Sequence, residues 1–150
     1  MKSKKSPRIA DRIEKYRSPS SSWNPHYLGY FECFNEQSYY EAHDVLEELW
    51  LEDRGRTEAN FYKGLIQFAG AFVHLQKNRL EPAFRLFLLA ENNLSQYENR
   101  YQGLTLADIL LMGKEYRNRL QTSEFNLNPW SPQQPPQLNF PALQSSSEIS

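Results

Sequence analysis

Four side chains near the middle of this chain have the types and spacing to do chemistry. His43 and Glu47 stand at i and i+4, so on a helix they share one edge, a turn apart. Gln67 and His74 lie two turns apart on a second helical stretch and share an edge there too, lined by Gly64, Gly70 and Ala71. Small residues let another helix approach closely. If the helix bearing His43 packs on that edge, His43, Glu47, Gln67 and His74 converge, with Tyr39 and Trp50 at the border. An imidazole and a carboxylate one turn apart can bind a divalent metal, with His43, Glu47 and His74 as the candidate ligands. Alternatively, Glu47 orients His43 or raises its pKa, which makes a general base in a ligand or catalytic pocket. A third reading is structural: polar groups facing a packed interface find each other and fix helix register.

The elements that must position these groups are all helical. Asn24-Pro25 is a helix start, with Asn as cap and Pro at the first helical position, and Tyr27, Tyr30, Phe31 and Phe34 then recur at helical spacing to about Phe34. Ser38-Tyr39-Tyr40-Glu41 reads as a capping box for a second helix that runs to about Leu51, with Tyr39, Ala42, Leu46, Leu49 and Trp50 as its apolar stripe. Thr57 is expected to cap a third helix that reaches Lys77. It is apolar on nearly every side and therefore central. A fourth runs from Leu80 to about Tyr97, with Pro82 tolerated in its first turn. After a loop around Gly103, Thr105-Leu106-Ala107-Asp108 resembles a cap and opens a fifth helix, to about Leu120. No strand pattern is evident. Short turns make sequential helices antiparallel neighbours, so the expected fold is all-α, a compact antiparallel bundle of about five helices over residues 25–121.

The flanks differ in kind. Residues 1–24 read as a flexible basic arm with a Ser-rich linker, inside which Ile9, Ile13 and Tyr16 can form one short amphipathic helix. Residues 122–150, rich in proline, read as a mostly disordered tail, with Trp130 and Phe140 as pegs able to dock on the body. The net charge of −1 hides an asymmetry, because Lys2 to Arg17 carries +5 and the remainder −6. Glu32 to Asp53 holds eight acids and no Lys or Arg, and Glu47, Glu48, Glu52 and Asp53 lack the spacing of a calcium loop, so they read as a solvated face. The arm is expected to be a solvated tail rather than a nucleic-acid clamp, since the body is acidic and Tyr16 is its single stacking residue.

No apolar run approaches the roughly 18 residues that cross a bilayer. The basic start lacks the apolar stretch of a signal peptide, so a cytoplasmic location is expected. Cys33 stands alone, which excludes an intrachain disulfide and suits a small buried hydrophobe. Trp50 suits core packing by its place on the apolar stripe. Phosphate-binding glycine loops, His-Glu-x-x-His and Gly-x-Ser-x-Gly are absent, and Tyr40 and Ala71 occupy the positions where a di-iron bundle places Glu before each His.

The run from Phe34 to Trp50, with Phe34-Asn35, Tyr39-Tyr40, Glu41-Ala42-His43, Leu46-Glu47 and Trp50, resembles the opening signature of the domain of unknown function 309 family. Phe61 to Gln67, with Gly64-Leu65-Ile66-Gln67, and then His74-Leu75 are similar to that family's second block, and Ala83 and Leu86 continue the likeness. The resemblance covers about residues 27–112. It implies a small helical bundle of prokaryotic type and no reaction. The positions that match its recurring polar residues are Glu41, His43, Glu47, Trp50 and Gln67. Gln37 stands where the family often has Gly, and Asn78-Arg79 where it often has Gly-Asn. The third and fourth helices are also similar to one tetratricopeptide unit, without a second copy.

The expected function is a non-catalytic module that binds a protein or peptide or self-associates, which requires an exposed apolar patch or groove. The alternative is a metal-dependent or ligand-binding enzyme built on the His/Glu/Gln cluster between the second and third core helices. It requires a solvent-reachable pocket lined by those groups. No cofactor is indicated beyond the candidate divalent metal.

Overall fold

The structure is a computed structural model that describes residues 23–140. The basic arm, its serine linker, the Ile9/Ile13/Tyr16 stripe and the last ten residues of the tail lie outside the described residues. Five helices follow in order: α1 Pro25–Asn35, α2 Tyr39–Glu52, α3 Ala59–Gln76, α4 Leu80–Leu94 and α5 Leu106–Thr122. Each packs on its neighbour in sequence. Side-chain register shows the antiparallel sense of the middle pairs. Tyr39 of α2 stacks on Phe72 of α3, while Gly64 and Gly70 of α3 face Leu94 and Leu86 of α4.

The all-helical architecture agrees with the periodicity, but the helix starts differ in their chemistry. Asn24 Oδ1 accepts from His26 N at 2.8 Å, the cap that Asn-Pro specifies. At Ser38, Glu58 and Thr105, which precede α2, α3 and α5, no side-chain cap bond forms. The chain supplies other devices. Ahead of α5, Asn99 accepts from Leu106 N through its carbonyl at 2.7 Å and from Ala107 N through Oδ1 at 2.9 Å, which covers two orphan donors. Thr57 lies before α3, which begins at Ala59, and its carbonyl accepts from Tyr97 Oη at 2.6 Å.

The start of α2 is set from the end of α1. Gln37 has φ 66°, its N–H bonds Phe34 O, and Ser38 N bonds Cys33 O. Asn78, at φ 55°, closes α3 in the same way, with Asn78 N on Leu75 O and Arg79 N on His74 O. Both are left-handed helix terminators of the kind that favours glycine.

The chain also forms a two-stranded antiparallel ladder, β1 Arg100–Tyr101 with β2 Leu104–Thr105, where sequence periodicity showed only a loop. Gln102 and Gly103 both have positive φ, which gives a tight hairpin turn. Two residues per strand are too few for a period-two pattern to be read.

The core is an aromatic column on α3. Phe61, Phe68 and Phe72 are fully buried among Tyr27, Phe31 and Phe34 of α1, Tyr39 of α2 and Phe87 of α4. Edge-to-face pairs dominate, such as Phe72 on Phe34 at 5.3 Å and on Phe87 at 5.2 Å. Cys33 is buried, as a small apolar side chain.

The tail is the largest difference from expectation. Composition predicts residues from 122 onward to be mostly disordered, yet residues 123–140 follow a defined path across the ends of α1, α2 and α3. Leu138 and Phe140 are buried, and Phe140 stacks on Phe31 at 4.4 Å. Trp130 Nε1 donates to Tyr39 Oη at 3.1 Å. Asn35 brackets Leu138, accepting from its N–H at 2.7 Å and donating to its carbonyl at 3.0 Å. A few large apolar groups and side-chain amides hold a segment that has no internal periodicity to reveal it.

Candidate functional site

α3 is the floor of a cleft whose walls are α2 and α4. Tyr40 and His43 come from α2, Ile66, Gln67, Gly70, Val73 and His74 from α3, and Leu86 from α4, around a cavity of about 210 Å³. Gly70, itself buried, lets both walls come close: a Cβ at that position would lie 3.2 Å from Leu86 Cδ1 and 3.9 Å from His43 Cδ2. The small-residue edge of α3 is thus shared between two neighbours. At its other end Gly64 receives α4 rather than α2, since a Cβ there would sit 2.7 Å from Leu94 Cγ.

Three of the four central residues of the predicted cluster meet in this cleft: His43, Gln67 and His74. Glu47, half-buried on α2, is not part of the lining. Helical side chains lean toward the N-terminus of their helix, so the companion of His43 is Tyr40, one turn earlier, rather than Glu47, one turn later. The Tyr40 and His43 rings stack with centroids 6.3 Å apart. Glu41, in the first turn of α2, and Trp50, near its end, are half-buried and also lie outside the lining. Trp50 packs against the core edge, with the Arg54 guanidinium 5.8 Å from its ring centroid. The metal set of His43, Glu47 and His74 is not assembled: among the described residues, no three His, Cys, Asp or Glu side chains group closely enough to hold an ion.

Gln67 is committed to structure at one end, its Oε1 accepting from Asn93 Nδ2 of α4 at 2.7 Å. His74 differs, because its Nδ1 is buried and has no hydrogen-bond partner. Its pKa is lowered from the usual 6.5, first by burial and then by the positive charges of Arg79, Lys77 and Arg85. His74 therefore stays neutral at ordinary pH, with unspent hydrogen-bonding capacity beside an apolar cavity.

Sequence reasoning missed Tyr40, Ile66, Val73 and Leu86 as lining residues and Asn93 as the partner of Gln67. Tyr40 had a signal, its position three before His43. Leu86 and Asn93 had none, because nothing in the sequence states which edge of α4 meets Gly64 and Gly70.

No helix among the described residues is long and apolar enough to cross a membrane. Residues 27–86 match the family described as Domain of unknown function (DUF309). The chain is also 34% identical over 61 residues to "Uncharacterized protein YpuF" of Bacillus subtilis (strain 168), a match that covers 40% of this chain and 35% of that protein. The chain thus spans about a third of the curated relative's length. No solved structure matches it. The matched segment holds most of α1, all of α2 and α3 and the first half of α4, and with them every residue that lines the cleft. Residues 27–86 of this chain thus match the family model of the domain of unknown function 309, in the region that holds the two sequence blocks.

Proposed function

We propose that this domain is a non-catalytic binding module that seats an apolar anchor side chain of a protein or peptide partner in the cleft between α2 and α4. The observation that carries the reading is the cleft itself. A larger cavity of about 630 Å³ at the end of α5 is lined mainly by polar residues such as Asn118, Arg119, Thr122 and Asn128. In the cleft a cavity of about 210 Å³ with mostly apolar walls stays open beside the exposed ring of Tyr40. That volume is below the roughly 300–1,000 Å³ of sites for whole cofactors or drug-sized ligands. It suits one large side chain, the unit by which grooves recognise peptides.

A panel of short peptides with different single anchors, followed by amide chemical-shift mapping of the full chain, tests this. Binders are expected to share a Leu, Ile, Met or Phe anchor and to move the amides of Gln67, Gly70 and His74. Val73→Trp, which fills the cleft, should weaken them at least about tenfold. If no peptide moves those amides, the reading fails. Sedimentation on the same samples distinguishes a second copy of the chain from a different partner.

The ligand-binding or catalytic alternative is supported by one specific observation, a neutral His74 imidazole in the same cavity lining as His43. Its metal-dependent form has two imidazoles and no carboxylate in the lining. Under the binding-module reading, purified chain carries far less than one equivalent of metal, and chelator leaves its thermal midpoint unchanged. Near-stoichiometric metal that is lost in His43→Ala would transfer support to the enzyme.

A further inference from the structure

The outer faces of α1 and α2, turned away from the core, carry a burial that their described neighbours do not explain. Asp44 lies two residues from Ala42 and two from Leu46, which are fully buried, so at about 100° per residue it points to the opposite side of α2. Among the described elements α2 packs on α1 and α3, which meet its Val45 and Tyr39 sides. Asp44 is nevertheless only 8% exposed. Gly29 repeats the pattern on α1: it lies two residues from Tyr27 and from Phe31, both in the core, and is buried as well. His26 Nδ1 lies 3.2 Å from Val45 O, which places Gly29 and Asp44 along one seam between the two helices. The seam is acidic. Glu41, Asp44 and Glu48 stand at i, i+3 and i+7 on one edge of α2, Glu32 is half-buried on α1, and Glu32 to Asp53 holds no Lys or Arg. A carboxylate is seldom buried without a cationic or hydrogen-bonding partner, so the cover of Asp44 brings such a group.

We propose that this cover is the chain's own basic arm: residues 8–16 fold back over the α1–α2 seam as a short amphipathic helix. Ile9, Ile13 and Tyr16 recur at i, i+4 and i+7, and Arg8, Arg12 and Lys15 recur at the same spacing on the adjacent edge. The apolar edge then lies on Gly29 and Cys33, and the cationic edge runs along Glu41, Asp44 and Glu48, each ladder rising about 10 Å over its length. Gly29 admits the arm closely because it has no side chain. Charge favours this occupant, since Lys2 to Arg17 carries +5 against a remainder of −6. Reach allows it: the described residues begin at Trp23, the five residues Ser18 to Ser22 span up to about 17 Å, and α1 is about 16 Å long. The tether also gives the arm a high effective concentration at the seam, which a free basic peptide or a second copy lacks.

Amide NMR and limited proteolysis of the full chain test this. At low salt the amides of residues 8–16 are expected to relax with the helical body. The triple reversal Arg8→Glu, Arg12→Glu and Lys15→Glu should release them and shift the amides of Gly29, Cys33, Asp44 and Glu48, while Gln67 and Gly70 of the cleft stay in place. Trypsin should cut the wild type after Arg12 at least about tenfold more slowly than the variant Glu41→Lys, Asp44→Lys and Glu48→Lys, and the difference should shrink as salt screens the charges. Wild-type amides 8–16 that relax as a free tail, or an arm reversal that shifts none of the seam amides, would overturn the proposal. Sedimentation showing a dimer that the arm reversal dissociates would overturn it as well, in favour of an arm that reaches the seam of a second copy. None of these outcomes bears on the cleft reading, because no group of the seam lines the cleft.

Discussion

At the scale of single residues, two turn positions hold non-glycine residues in a backbone conformation that favours glycine. Gln37 has φ 66° and Asn78 φ 55°. A left-handed non-glycine residue carries a steric penalty of roughly 1–2 kcal/mol. Each side chain has an offsetting use: Gln37 Nε2 donates to Pro132 O at 3.2 Å, and Asn78 Oδ1 accepts from Asn128 Nδ2 at 3.3 Å. Both bonds hold the C-terminal segment, which lies outside the residues that match the family. His74 gives the first prediction at this scale. Its pKa is lowered in the fold, so between the usual 6.5 and that lower value the unfolded chain binds more protons than the native one. Stability is therefore complete above about pH 6.5 and falls as pH drops toward the native value. Urea midpoints measured from about pH 8 to about pH 5 should show this slope, and His74→Gln should flatten part of it. An identical slope in the variant would mean that His74 is not held neutral.

At the scale of elements, the cleft exists because of where two glycines place α4. A Cβ on Gly64 would meet Leu94 Cγ and Cδ2 at 2.7 and 2.8 Å, and these are buried atoms in the core rather than the free end of a surface side chain. A Cβ on Gly113 would meet Phe68 Cε1 at 3.4 Å, an ordinary contact. Gly64→Ala should therefore cost roughly 1–3 kcal/mol through overpacking, despite the better helix propensity of alanine. Gly113→Ala, relieved of that clash, should be neutral or stabilising by up to about 1 kcal/mol. Denaturant midpoints of the two variants check this, and equal effects would contradict the close α3–α4 approach. The outer contact of α4 with α5 is reinforced by Arg117 Nη2, which donates to both Glu91 carboxylate oxygens at 3.2 Å. Both side chains are partly exposed, so packing of Phe87 on Tyr116 is the larger tie.

At the scale of the whole molecule, the helices and the C-terminal segment share one core. Phe140 contacts Trp23, Tyr27 and Phe31 in a single aromatic group, with Trp23 and Phe140 closing over Gly103 of the hairpin. Tyr27 Oη donates to Gln102 O at 2.7 Å, which ties α1 to that hairpin. The segment is thus a structural part of the domain, and Phe140→Ala should cost about 3–5 kcal/mol. Leu127→Ala, at a position 70% exposed, should change stability by less than about 0.5 kcal/mol. Equal unfolding midpoints for the two variants would show that the segment adds nothing to the core. Burial also raises the phenol pKa values of Tyr39 and Tyr62, each to about 12. These tyrosines favour the fold below their ordinary value of 10, and that contribution is lost as pH rises through about 12.

Periodicity and punctuation in the sequence determined the five helices, the central place of α3 and most of the aromatic core. Apolar spacing within a helix is a local property that each segment carries by itself. His43, Gln67 and His74 could be placed on facing edges for the same reason. Only the tertiary structure decided which of them meet. Glu47 drops out because the lean of helical side chains turns His43 toward Tyr40, and Leu86 enters because Gly64 sets the depth at which α4 lies on α3. The path of residues 123–140 was likewise invisible in composition. It depends on single long-range contacts, Phe140 on Phe31 and Trp130 on Tyr39, between residues whose separation along the chain leaves no pattern to read.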